Sequence, residues 1–145
     1  MIMEETQTLL EVARWTATHR NRRCTIRQLV GTEENYRLLI RELDRVESQC
    51  LRAGTQHVEA TLTLVEWIEA LNHFHWLCAY CMEKPFRVMS HYLPLPQAGT
   101  TALNCLPACY RCRHNPKKEN ERIQDYFAQV QARTATMPCF VEQPC

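Results

Sequence analysis

The sequence lacks an excess of charge of either sign. Its 17 Lys and Arg stand against 16 Asp and Glu in 145 residues, a formal net charge of +1. Such a balance gives no general pull toward nucleic acid, so any attraction has to come from local patches. It also lacks an apolar run of 18 or more residues, so no transmembrane helix is expected. The opening residues, MIMEETQTLL, are acidic where a secretory signal is basic, and they contain no long apolar stretch. A cytoplasmic protein is therefore expected. There is no internal repeat and no low-complexity tract. The apolar content is ordinary for a globular protein, and the length fits one domain, or one small domain with an extra arm.

Cysteine is abundant instead, with nine in the chain. In a cytoplasmic protein this points to metal before disulfides, and an odd number argues against a complete disulfide framework. Four of the nine form two CxxC pairs, Cys78 with Cys81 and Cys109 with Cys112. Each pair closes a tight turn that brings two sulfurs to the same ion, and zinc accepts four sulfurs tetrahedrally. A cage of four thiolates leaves no open coordination position, so the role expected for this zinc is structural. Its binding energy, about 10–16 kcal/mol for such sites, becomes folding energy. Cys24, Cys50, Cys105, Cys139 and Cys145 read as free thiols, packed as small apolar side chains or exposed.

Along the chain, residues 4–19 pattern as a helix with Leu9, Val12, Ala13 and Ala17 on one face. A basic cluster follows: Arg14, Arg20, Arg22, Arg23 and Arg27. Thr32 is suited to cap a second helix, with Glu33 and Glu34 in its first turn and a stripe of Tyr36, Leu39, Ile40, Leu43, Val46 and Cys50. Gly54 is the expected stop. HVEATL alternates briefly and reads as extended. Thr63 and Glu66 form a capping box ahead of a face of Leu64, Trp67, Ile68, Leu71 and Phe74. From Pro85 to Pro107 four prolines and Gly99 exclude long helices. FRVMSHYL reads as a strand there and PLPQAGTTALN as a loop. Cys109 begins a turn that leads into a helix, but Pro116 falls in its first turn, so a second helix beginning near Pro116 is an equal alternative. Ile123, Phe127 and Val130 lie on one face of the last helix. The tail TATMPCFVEQPC has no clear period.

From about Thr61 to Asn120 the order of motifs resembles the HNH endonuclease family. LTLVEWIEALNHFHWLCAYC is similar to the helix that leads into the first zinc knuckle of these proteins. Then come Ser90-His91 where the family has an acid–His pair at a strand end, Pro94, Gly99, Asn104, LPACYRC, and Arg113 where the family has Asn or His. The resemblance implies an α+β fold: a small zinc-stabilised ββα-metal (treble-clef) domain over 61–120. Residues 1–60 form a helical N-terminal region outside the match, and 121–145 a C-terminal helix and tail. It further implies endonuclease-like phosphodiester hydrolysis, with His91 as general base and Asn104 orienting the loop or assisting at a metal.

Two positions depart from that pattern. A neutral hydroxyl at Ser90 is a poor ligand for a hard cation compared with a carboxylate. The Arg113 guanidinium has only donors and a permanent positive charge, so it cannot ligate a cation. The site for a catalytic Mg2+ or Mn2+ is weakened accordingly. His114 would point about 100° away on a helix, and nothing in the spacing aims Glu83 at His91. The knuckle carries Met82 where the family often has Gly.

Arg113 and Lys117 are four residues apart and share a helical face. With Arg111, Arg87, Lys84, Lys118 and Arg122 they can form a basic surface for the phosphates of duplex DNA. The residues leave three readings open. One is a metal-dependent endonuclease. Another is a zinc finger that grips DNA or a protein partner without cutting, alone or as a module of a larger complex. The third is a structural subunit whose N-terminal helices pair with a partner or with themselves.

Overall fold

The computed structural model describes residues 3–18, 23–114 and 120–136. In chain order these form α1 (Met3–Thr18), α2 (Arg23–Val30), α3 (Glu33–Thr55), α4 (Leu64–His73), β1 (Val88–His91), α5 (Leu95–Ala98), β2 (Cys105–Ala108), α6 (Tyr110–His114) and α7 (Glu121–Thr136). Strands β1 and β2 pair antiparallel, with Val88 opposite Ala108 and His91 opposite Cys105. Helices with one small sheet make this an α+β fold. No helix among the described residues is long and apolar enough to cross a membrane.

The caps form as the sequence expects. The Thr32 side chain accepts from the Asn35 N–H at 3.1 Å at the start of α3. Thr63 and Glu66 make the full capping box at α4, where the Glu66 carboxylate accepts from the Thr63 N–H at 2.9 Å. Each device removes unpaired N–H groups from a helix start, and losing such a cap costs about 1 kcal/mol.

The stop of α3 differs from expectation. Gly54 stays within the helix, which runs on to Thr55, and the left-handed residue is His57 at φ 56°. The Gly54 carbonyl accepts from the His57 N–H, and the Ala53 carbonyl from Gln56, so the last turn closes without needing a left-handed glycine. Helix α2 is masked in the sequence by the basic residues around it. It forms because Ile26 and Val30, four apart, are buried, and Gly31 at φ 79° ends it. HVEATL contributes only one bridge, Ala60 to Thr100. The segment expected as a loop contains the short helix α5.

Buried apolar side chains form one cluster. It contains Leu9, Val12 and Ala13 of α1, Leu39 and Val46 of α3, and Trp67, Ile68 and Leu71 of α4 with Phe74 just beyond it. Leu106 and Ala108 of β2 and Ile123 and Tyr126 of α7 complete it. Fully burying one large apolar side chain contributes about 1.5–3 kcal/mol, so α4, buried along its whole expected face, is the main strut beneath the sheet.

A carboxyl side chain lies inside this core. Glu42 is fully buried, and its Oε1 accepts from Trp67 Nε1 at 3.0 Å and from Arg45 Nε at 2.8 Å. Arg45 also donates to the Arg87 carbonyl at 3.0 Å and lies over the Phe86 ring. These contacts tie α3 to α4 and to the chain leading into β1.

Candidate functional site

After α4 the chain must turn sharply to present Cys78. His75 and Trp76 adopt left-handed backbone, and Trp76 Nε1 donates to Asn72 Oδ1 at 2.8 Å, fixing the exit. The Cys78 N–H then bonds the Lys84 carbonyl and the Met82 N–H bonds the Cys78 carbonyl, both at 2.8 Å, closing the first knuckle. The Ala79 N–H donates to the Pro107 carbonyl at 2.8 Å, which docks that knuckle on β2. Cys109 follows β2 directly and Cys112 lies in α6, so hairpin and helix deliver the second pair.

The four sulfurs of Cys78, Cys81, Cys109 and Cys112 lie within 4.8 Å of one another. A tetrahedral ion with bonds of about 2.3 Å needs sulfurs roughly 3.8 Å apart, so the cluster fits one metal ion, and an all-sulfur set suits zinc. Burial pushes the Cys78 thiol up. Burial acts in the same direction on Cys81, but the backbone N–H groups of Glu83 and Lys84, together with hydrogen bonds from the Cys78 and Cys112 thiols, outweigh it and bring that thiol down to about 7. Cys112 is pushed up to about 12 by burial and by its sulfur neighbours. Four adjacent thiols cannot all ionise without a cation to offset them. The open cavity beside Cys81, Cys109 and Cys112 is lined by charges of both signs, Lys84, Arg111 and Arg122 with Glu83 and Glu121.

His91 ends β1, half-buried. Its Nε2 lies 3.0 Å from Thr100 Oγ1, and Thr100 donates to the Gln49 carbonyl of α3 at 3.2 Å. Burial, with a smaller contribution from the Arg52 guanidinium, lowers the His91 pKa below its ordinary value. Both effects favour the neutral ring, the form that can accept a proton.

Asn104 is almost fully buried and holds the loop between the strands. Its Oδ1 accepts from the Leu93 N–H at 2.7 Å, and its Nδ2 donates to the carbonyls of Leu93 at 3.1 Å and Gly99 at 2.8 Å. Both ends of the amide are committed to backbone, so the part Asn104 plays in this structure is to fix the loop that carries Thr100.

Neighbours along a strand point to opposite faces, and Ser90 turns away from the His91 side. Its hydroxyl lies 3.3 Å from that of Tyr80, and both side chains are buried. Ser90 is thus engaged by a phenol and Arg113 cannot ligate, so these residues do not fit a catalytic divalent ion. Among the described residues, the four cysteines are the one group of three or more metal-binding side chains brought together. Arg87, Arg111 and Arg113 are exposed, with Arg111 and Arg113 on α6 and Arg87 just before β1. Lys117 and Lys118 lie outside the described residues, as do Arg20, Arg22, Cys139 and Cys145.

Thr100, Tyr80 and Gln49 do not stand out in the sequence. The one available signal for Thr100 is its place after Gly99.

Fold and site together define an α+β chain with four cysteines placed to hold a metal ion beside a histidine-bearing hairpin. No protein-family model, curated protein or solved structure matches this chain.

Proposed function

We propose that the chain is a zinc-stabilised ββα-metal (treble-clef) finger of the HNH type that binds duplex DNA, with His91 as general base for phosphodiester hydrolysis. The observation that supports this most is the arrangement of His91. A half-buried imidazole, whose burial favours the neutral form, ends the first strand of a hairpin whose loop is locked by Asn104, and the same hairpin leads into the second half of a four-sulfur cluster. In this reading zinc shapes the finger and takes no part in the chemistry. His91 accepts a proton from water as the water oxygen bonds to phosphorus and the opposite P–O bond breaks, the departing sugar oxygen taking a proton from solvent. The exposed guanidinium of Arg113, with Arg111 and Arg87, supplies positive charge toward the phosphate. No step is assigned to a second metal, since Ser90 and Arg113 do not fit one. A reduced cysteine cluster suits a reducing compartment such as the cytoplasm.

The engagement of Ser90 with Tyr80 favours a second reading, a finger that binds DNA or a protein partner and does not cut. Nicking of supercoiled plasmid by the zinc-loaded protein, with Mg2+, Mn2+ or a chelator selective for them, separates the two. The nuclease reading expects nicking that disappears in His91→Ala while the fold and DNA binding persist. No nicking in any condition, together with salt-dependent DNA affinity that Arg113→Ala weakens, leaves the binding module. No DNA affinity at moderate salt removes both DNA readings.

A further inference from the structure

We infer that Thr100 is a positioning residue that fixes His91 as the Nε2–H tautomer and so leaves Nδ1 as the proton acceptor. A threonine hydroxyl has one hydrogen to give and lone pairs to receive. Thr100 Oγ1 lies 3.2 Å from the Gln49 carbonyl oxygen, which has no hydrogen of its own, and 3.0 Å from His91 Nε2. With its hydrogen on the carbonyl, the hydroxyl can only accept from the ring, so Nε2 must carry the proton. The reverse arrangement would set two oxygen lone pairs against each other in a buried site, where such a mismatch is costly.

The hydroxyl has little freedom to escape this choice. Thr100 is fully buried. Its N–H donates to the Glu59 carbonyl at 2.8 Å, and its own carbonyl accepts from the N–H groups of Thr61 and Leu62 at 3.0 and 3.1 Å. Gly99 allows this close approach. It sits at φ 71°, and a Cβ there would come within 2.3 Å of the Glu59 carbonyl oxygen. The groups that hold Thr100 in place therefore come from α3 and the segment after it. The N-terminal helical region thus serves as the wall against which His91 is oriented. Arg52, one turn beyond Gln49 in α3, is the charged group that acts on the ring, and it disfavours the imidazolium.

The use of Nδ1 as a catalytic base rests on the nuclease reading, but the tautomer does not. The test is therefore made first without DNA. Nitrogen-15 NMR of histidine-labelled, zinc-loaded protein above pH 7.5 should show His91 with a protonated Nε2 and an unprotonated Nδ1, as a single tautomer. Thr100→Ser should keep that signature, and Thr100→Val, similar in shape but without the hydroxyl, should move both nitrogens toward averaged shifts. An Nδ1–H or mixed tautomer in the unaltered protein overturns the proposal, even if the valine variant does not fold. So does a folded Thr100→Val protein whose signature is unchanged. If the plasmid assay detects nicking, Thr100→Val should lower kcat about tenfold or more with little change in DNA affinity, and Thr100→Ser should restore it. A single Nε2–H tautomer that depends on Thr100, in a protein that never nicks DNA, upholds the positioning and removes only the nuclease reading.

Discussion

Two neighbouring segments of this chain are held still by different chemistry. The knuckle around Cys78 and Cys81 is short and has left-handed residues before and within it, with four thiols meeting at its edge. The loop between β1 and β2 contains no metal-binding cluster among its described residues. Two buried polar side chains hold it, Asn104 from within and Thr100 against α3. The difference shows most clearly at their strained positions. In the loop, the left-handed residue Gly99 is a glycine because any side chain would strike the Glu59 backbone. In the knuckle, the left-handed residue is Met82 at φ 55°, and the strain of a non-glycine residue is tolerated there. A metal held by the four thiols, contributing about 10–16 kcal/mol, would absorb a left-handed residue that costs about 1–2 kcal/mol. A loop held by hydrogen bonds worth about 1 kcal/mol each cannot absorb a backbone collision.

The largest expected effect follows from removing the metal. Chelation, or Cys109→Ala, should take away on the order of 10 kcal/mol or more of local stabilisation. Hydrogen-exchange protection of the backbone bonds at Cys78, Ala79, Met82 and Arg113 should be lost. The α3–α4 helices, buried by apolar packing and capped by Thr32 and Thr63, should keep most of their helical circular dichroism. Simultaneous loss of both would show that the helices and the finger form one cooperative unit and that the contrast between them is only local.

A smaller effect is expected on the hydrogen-bonded side. Asn104→Ala leaves the Leu93 N–H and two carbonyls without their partner, a loss of about 3 kcal/mol at roughly 1 kcal/mol or more per group. Asn104→Asp should not rescue it, because a carboxylate brings only acceptors to the carbonyls of Leu93 and Gly99. Chemical denaturation measures the loss, and zinc content should stay at one ion per chain. Loss of zinc along with stability would mean that the loop also shapes the metal site.

How much of this is legible in the sequence follows from the range of each interaction. The two CxxC pairs, the Thr63–Glu66 box and the α4 face are local patterns, and the structure forms each of them. The partner of His91 is not legible, because Thr100 is brought to it by a loop closure and is oriented by Gln49, 51 positions earlier. The partner of Ser90 is hidden in the same way, since Tyr80 sits between Cys78 and Cys81 and meets β1 only when the knuckle docks on the sheet. Glu42 interrupts no apolar pattern strongly enough to announce that it is buried, and only Trp67 and Arg45 explain it. Local rules therefore locate the metal centre, whereas the surroundings of the histidine depend on tertiary contacts.

The smallest expected effect tests the tolerance of strain directly. Met82→Gly relieves a left-handed backbone worth about 1–2 kcal/mol. It also removes a partly buried side chain that packs against the core, and it gives the unfolded chain more freedom; together these cost about 1–2 kcal/mol in the opposite sense. The two nearly cancel, so zinc-loaded Met82→Gly should unfold within about 1 kcal/mol of the parent protein. The metal-free state is more informative. There the ion no longer imposes the turn, and glycine should let the knuckle visit its closed shape more often. Met82→Gly should then bind zinc faster, measured by stopped flow with a chromophoric chelator as the zinc donor, with little change in the rate at which it gives zinc up. An unchanged association rate would mean that the hydrogen bonds of the knuckle, and not the metal, already set its turn.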